Sequence, residues 1–307
     1  MQPCDRSPYI MQILRSSFHD GDGLRTVVYF KGCPLRCIWC HNPEGQDPLP
    51  EIFYYDYKCI KCGRCIDACK CHTVAGDQML FDRANCRRCG KCATICPSGA
   101  LSLCGEKMSP EKLYDRIKRD ARYYDRTGGG VTFSGGEALL YPDYLTDVLV
   151  LCKNDGINTA IESAMHVDRA AIDKVLDCVD AWMVDIKHTD PEEHKRLTGK
   201  DNRRILENIK YLASKAAERG VSVIARTPLI PGLNDSSENL IRTAEIALES
   251  GCKAWQILKY NNLGQSKYAQ LGSKALFDSV PQTNEAIKEL VVNINSRLGK
   301  DFAIFKS

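Results

Sequence analysis

No run in this sequence approaches the roughly 18 consecutive apolar residues that a membrane-spanning helix needs. The amino-terminal stretch MQPCDRSPYIMQILRSSFHDGDG also lacks the unbroken apolar segment of a secretory leader. Charge of one sign is missing too. The 42 Lys and Arg are nearly balanced by 39 Asp and Glu, a formal net charge of +3, and the two signs are interspersed. Neither a membrane nor a nucleic acid is therefore the default partner, and a cytoplasmic protein is expected. A chain of 307 residues is long enough for one large α/β domain with a smaller one beside it.

Cysteine, by contrast, is abundant. Seventeen Cys in a reducing compartment point to metal binding before disulfides. Six of them, Cys4, Cys71, Cys104, Cys152, Cys178 and Cys252, are scattered and read as small buried hydrophobes or incidental thiols. Eight fall in two runs, CIKCGRCIDAC (Cys59, Cys62, Cys65, Cys69) and CRRCGKCATICP (Cys86, Cys89, Cys92, Cys96). Each run is C-x2-C-x2-C-x3-C, the bacterial ferredoxin pattern, and the segment resembles a two-cluster ferredoxin domain. The resemblance implies that Cys59, Cys62, Cys65 and Cys96 hold one [4Fe-4S] cluster and that Cys86, Cys89, Cys92 and Cys69 hold another. A pair of zinc knuckles is the weaker reading, because it does not explain eight ligands at ferredoxin spacing. A proline usually follows the fourth Cys, but here Lys70 and Cys71 do, so Cys71 could compete as a ligand.

The remaining three thiols form the C-x3-C-x2-C array of KGCPLRCIWCHNPEG: Cys33, Cys37 and Cys40. A cubane has four irons, so three thiolates leave one open to a small molecule. With its flanks, FHDGDGLRTVVYFKGCPLRCIWCHNPE, the array resembles the radical S-adenosylmethionine (SAM) superfamily and, within it, the activating enzymes of glycyl radical enzymes. A zinc site or buried thiols would leave Pro34, Trp39 and the HNPE tail without explanation.

Strand-like runs occur at residues 26–30, 130–135, 159–163, 181–187, 221–227 and 254–258. Helical segments with apolar residues at three- and four-residue spacing alternate with them, several ended by a glycine. Six β-α units in series imply a parallel sheet with helices outside. The resemblance sharpens this to an α/β fold: a partial (β/α)6 barrel of residues 1–50 and 105–307, with a ferredoxin-like insert at 51–104. In such barrels chemistry sits at the carboxyl ends of the strands.

The remaining motifs fall at those ends. The resemblance assigns the SAM amino group to the SGGE stretch, with Gly135, Gly136 and Glu137, and sets Glu162, Ser163, Asp185, Ile186 and Lys187 around the cofactor. It adds a monovalent cation beside Glu162, Met183 and Asp185. From the residues alone, the glycines could equally form a plain turn. Asp185 and Lys187, two apart on one face of a strand, must meet each other or a ligand. Arg226 could pair with the SAM carboxylate or form a surface salt bridge. Asn261 stands where relatives often carry a His that contacts the ribose or adenine, and Trp39 and His41 are flat enough to wall the adenine. Asp20, in HDGDG, matches an aspartate near the target peptide in the family, or is an ordinary turn residue.

The implied reaction is reductive cleavage of SAM to a 5′-deoxyadenosyl radical. That radical takes the Cα hydrogen of one glycine in a partner glycyl radical enzyme, with electrons delivered through the two further clusters from a flavodoxin or ferredoxin. Two alternatives are a radical SAM enzyme acting on a small molecule and a pure iron-sulfur electron carrier. The carrier leaves the three-thiol array and six β-α units without a use.

Overall fold

The computed structural model describes residues 7–76 and 78–306. Cys4 and the first part of the amino-terminal stretch lie outside the described residues. The strands in chain order are β1 (Tyr9–Ser17), β2 (Arg25–Phe30), β3 (Glu51–Tyr54), β4 (His72–Ala75), β5 (Gln78–Phe81), β6 (Leu101–Cys104) and β7 (Glu106–Lys107). They continue with β8 (Gly130–Gly135), β9 (Asn158–Ser163), β10 (Ala181–Asp185), β11 (Ser222–Leu229), β12 (Ala254–Lys259) and β13 (Ala303–Phe305).

Nine strands form one sheet in the order β13-β12-β11-β10-β9-β8-β2-β1-β7. From β2 to β13 every neighbour is parallel. The antiparallel β1 and then β7 extend the β2 edge. All six expected strands are present. The tenth ends at Asp185, so Lys187 lies just beyond it. The sheet is buried on both faces, as a parallel sheet wrapped by helices must be. Val28, Phe30, Val131, Phe133, Ile161, Trp182, Val184 and Trp255 are all buried.

The helices supply the outer layer by spacing alone. In Arg203–Ala217 the buried positions Ile205, Ile209, Leu212 and Ala216 recur at three- and four-residue steps and make one stripe. Ser236 caps Ser237–Glu249 by accepting from the Asn239 amide. The chain leaves three of these helices through glycines with left-handed backbone, Gly156, Gly220 and Gly251.

Residues 51–104 depart and return on adjacent strands, since β3 pairs with β6 from Glu51↔Cys104 to Tyr54↔Leu101. Between them lie the β4–β5 hairpin and two short helices, Arg64–Ala68 and Lys91–Ile95. This unit is fastened to the sheet by buried ions. The Lys31 ammonium, fully buried at the end of β2, meets Glu51 at 3.0 Å and the Glu44 carbonyl. Arg83 donates to the Ile52 and Gln270 carbonyls, each at 2.6 Å.

Arg25 fixes the opposite end of the sheet. Its guanidinium is 1% exposed and bonds Thr132 at 2.7 Å, the Val131 carbonyl at 2.7 Å and the Asn158 side chain at 3.0 Å. Burial pulls its pKa down to about 10. Removing it strands several desolvated acceptors, so Arg25→Ala is expected to cost roughly 3 kcal/mol. Urea unfolding of the purified chain measures this, and a loss below about 1 kcal/mol would contradict the role given to Arg25.

Candidate functional site

The thiol array rides on the loop that leaves β2, and several separate elements hold that loop. The Arg36 and Ile38 amides donate to the Thr198 and Leu197 carbonyls at 2.7 and 3.1 Å. These carbonyls close the helix Pro191–Thr198, so the bonds also satisfy acceptors the helix leaves open. Cys33 N bonds the Gln46 carbonyl at 3.3 Å, and the Tyr268 hydroxyl donates to the Cys40 carbonyl at 2.9 Å. His41 Nε2 donates to the Asn261 carbonyl at 2.5 Å. Trp39 packs with Leu197, Ile230 and Tyr260.

The three thiols are free and lie within one another's field. Burial pushes Cys33 and Cys37 up to about 12 and raises Cys40 as well, while Lys187 works in the other direction on all three. Backbone amides also reach sulfur, from Leu35 to Cys33 and from Asn42 to Cys40. Such a donor set is poor at carrying bare negative charge and suited to exchanging protons for a metal group.

Around this loop, charges gather at the ends of the parallel strands. Lys187 Nζ sits 2.6 Å from Asp185 Oδ2. Burial opposes the Lys187 ammonium, but Asp185 and the Cys37 and Cys33 sulfurs outweigh it, and its pKa is raised. Arg226 is buried, not at the surface. It meets Glu162 at 2.8 Å, Gln256 Oε1 at 3.0 Å and the His19 carbonyl at 2.6 Å. Glu162 also accepts from the Ser134 hydroxyl at 2.7 Å. Its burial is outweighed by Arg226 and Ser134, which hold the carboxylate below its ordinary range.

Glu137 is an organiser of the strand ends. It accepts from the Leu139 and Ala164 amides and the Ser163 hydroxyl at 3.2, 3.0 and 3.0 Å, yet burial still lifts its pKa to about 7. Ile186 is buried in the core. The two glycines before Glu137 carry a constraint of their own. A Cβ on Gly135, at φ +119°, would meet Phe30 N at 2.1 Å. One on Gly136 would meet the Gly32 and Gly45 carbonyl oxygens at 2.1 and 2.4 Å. All of these are backbone atoms of β2 and the thiol loop, so the glycines let that loop close over the sheet.

Asp20 takes the Ser17 hydroxyl, and its own carbonyl accepts from Thr132 at 2.6 Å. Burial first, and Glu162 second, raise its pKa. Asn261 is turned differently from expectation. Its side chain accepts from Leu263 N in its own loop, so its tie to the site runs through the main chain to His41. Sequence reasoning missed Gln256, Lys31, Lys267 and Tyr268. Lys267 pairs with Glu44 of the HNPE tail at 2.6 Å, and Glu44 Oε2 is buried with no hydrogen-bond partner. The HNPE motif was visible in sequence, but nothing there pointed to its partner more than 200 residues away.

In residues 51–104, Cys59, Cys62, Cys65 and Cys96 line a cavity of about 220 Å³ together with Met79 and Leu101. The Cys92 thiol feels Cys69 and Cys86 instead. Cys71 donates to the Asn85 carbonyl at 3.4 Å and interacts with Cys69. Among the described residues, no three His, Cys, Asp or Glu side chains are arranged around one metal ion position.

Residues 83–244 match the sequence profile of the radical SAM superfamily. The chain belongs to the radical SAM superfamily. Within the superfamily it is an activating enzyme of the kind that serves glycyl radical enzymes. It is 39% identical over 289 residues to the indoleacetate decarboxylase activating enzyme of Tractidigestivibacter scatoligenes, covering 90% of each chain. It is 40% identical over 274 residues to the (2S)-3-sulfopropanediol dehydratase activating enzyme of Klebsiella oxytoca, covering 86% of this chain and 85% of that one. Among solved structures, Streptococcus suis SuiB bound to precursor peptide SuiA superposes with a TM-score of 0.56 at 13% identity, over 92% of this chain and 48% of that chain, a likeness of fold alone. Membership of the superfamily brings SAM and a [4Fe-4S] cluster to this radical SAM enzyme, and three half-buried free thiols, two of them reached by backbone amides, suit such a cluster. Among the described residues, no helix is long and apolar enough to cross a membrane.

The glycine constraint gives a test. Gly136→Ala forces the thiol loop off the strand ends while leaving residues 51–104 untouched. Iron per reconstituted chain is expected to drop by about four. Full iron content in the variant would contradict the close approach.

Proposed function

We propose that Cys33, Cys37 and Cys40 hold the SAM-cleaving [4Fe-4S] cluster. On the same reading Cys59, Cys62, Cys65 and Cys96 hold a second cluster, and Cys86, Cys89, Cys92 and Cys69 a third. The carrying observation is that three free, half-buried thiols lie in the field of a half-buried Lys187–Asp185 pair at the carboxyl ends of parallel strands. When bound, the cluster supplies one electron that splits SAM into methionine and a 5′-deoxyadenosyl radical.

The chain's own residues bind, orient and exclude water. Gly135 and Gly136 bring backbone close to the SAM amino group, with Glu137 and Ser163 stiffening that turn. Lys187 and Asp185 hold the charged end of the cofactor, Ile186 and Trp39 seal it from water, and His41, fixed on the Asn261 carbonyl, walls the adenine. Arg226 reaches the SAM carboxylate only by loosening its hold on Glu162. A monovalent cation beside Glu162, Met183 and Asp185 likewise competes with Arg226 and Lys187, since each carboxylate already has its cation.

The protein substrate is a glycyl radical enzyme whose glycine loop enters over Asp20. That carboxylate is held by Ser17 in the loop that Arg226 grips through His19, and is placed to accept backbone N–H groups of an extended segment. A flavodoxin or ferredoxin supplies the electrons, in the cytoplasm. The names of the relatives span decarboxylases, dehydratases and lyases.

The reconstituted chain should carry roughly 12 Fe and cleave SAM under a chemical reductant. Incubated with a partner whose loop glycine is α-deuterated, it should return 5′-deoxyadenosine carrying deuterium. Asp20→Ala is expected to cut that transfer about tenfold or more while leaving SAM binding within about twofold. Unlabelled 5′-deoxyadenosine in the presence of every candidate partner, with a metabolite modified instead, would hand the site to the small-molecule reading.

A further inference from the structure

The two thiol runs of residues 51–104 are backbone copies of each other, and the copies are placed differently. Lys61 and Arg88, 27 positions apart, share the left-handed backbone at φ 55° and 57°, and Gly63 and Gly90 follow at 76° and 74°. A short helix starts next in each, at Arg64 and at Lys91.

One copy is packed against the rest of the chain. Arg88 pairs with Asp47 at 2.8 Å, in the loop that follows Cys40. Arg83, just before Cys86, is fastened to the Gln270 carbonyl and stacks over Phe81. A Cβ on Gly90 would come within 2.9 Å of Leu103. The copy with Cys86, Cys89 and Cys92 is thus tied to the loop that follows Cys40, with Cys92 buried although Cys89 is exposed.

The other copy faces outward. A Cβ on Gly63 would meet nothing within 4 Å. Tyr57 is 74% exposed, Ile60 64% and Val74 59%, and the Cys62 thiol is exposed among them. Asp56 to Lys70 reads DYKCIKCGRCIDACK, with four basic residues against two acidic ones, Asp56 and Asp67. Lys58 lies over the Tyr55 ring at 4.4 Å, which holds its charge at the rim. Scattered exposed apolar residues are ordinary, but apolar side chains beside a rim where Lys58, Lys61, Arg64 and Lys70 outnumber Asp56 and Asp67, over an exposed cysteine, suit a transient, electrostatically steered interface.

We propose that this outward face, with Tyr57, Lys58, Ile60, Arg64 and Val74, docks an acidic one-electron carrier protein. The proposal rests on the reading of residues 51–104 as cluster-bearing and adds where the carrier binds. Charge complementarity selects the occupant, because a basic rim repels a basic protein and carries too few charges to follow a nucleic-acid backbone.

The experiment uses the full chain reconstituted anaerobically and an acidic flavodoxin as probe, with affinity read by calorimetry at low and high salt. The double variant Lys58→Glu/Arg64→Glu is expected to bind about tenfold more weakly and to lose most of the salt dependence. Ile60→Asp should weaken binding as well, whereas Lys288→Glu, on the helix Asn284–Leu298, should match the parent. Iron content equal to the parent's in each variant shows that the loss is not misfolding. Unchanged affinity in both rim variants, equal loss in Lys288→Glu, or no flavodoxin binding by the parent overturns the docking face. The functional reading fails by a different route. SAM cleavage under a small chemical reductant needs no carrier, so its absence in the parent sinks that reading, and its retention in the rim variants is expected here.

Discussion

Everything at the carboxyl ends of the strands depends on how the loop after β2 is held. Three thiols carried on a free loop would have no fixed spacing, and ordering that loop costs about 1 to 2 kcal/mol per residue. The chain meets that cost with bonds that serve two partners at once. The Arg36 and Ile38 amides close the open carbonyls of the helix Pro191–Thr198, and Tyr268 and Asn261 reach across from the far end of the sequence. Gly136 then lets the loop settle against backbone where any side chain would collide. The backbone of the loop that carries the three thiols is thus fixed by the fold.

Buried charge follows from that placement. Glu162 with Arg226, Asp185 with Lys187, Glu51 with Lys31 and Glu44 with Lys267 all lie partly or wholly out of water. Buried pairs seldom repay their desolvation against apolar residues of the same volume, so stability alone does not account for four of them around one loop. The first two pairs lie at the strand ends, where a zwitterionic ligand would meet both signs of charge. The other two tie the loop and residues 51–104 to the sheet, which gives the thiol-rich unit a fixed seat.

The parallel sheet was legible because its six expected strands are compact β-rich runs, and most of them are followed by a helix with an apolar stripe. β13 was not, since Ala303–Phe305 is too short to stand out. β1 was not either, because YIMQILRSS alternates poorly and carries the left-handed Ser16 near its end. The thiol arrays and the SGGE stretch were visible from spacing and resemblance. Their partners were not, because Arg226 with Glu162, Lys267 with Glu44 and Arg83 with Gln270 are chosen by topology across long separations. The glycines carried two meanings in sequence, ligand approach and tight turn. The structure adds a third, backbone contact with the thiol loop.

The claim on which the account stands is that the three thiols and the strand-end charges form a single SAM site. Electron-nuclear double resonance on the reduced chain, with SAM isotopically labelled at its amino nitrogen and carboxylate oxygen, tests it most directly. Hyperfine coupling from both labels is predicted in the parent, together with its disappearance in Cys37→Ala, whose residues 51–104 still carry iron. Labelled SAM that binds the parent without coupling to any cluster would contradict the account.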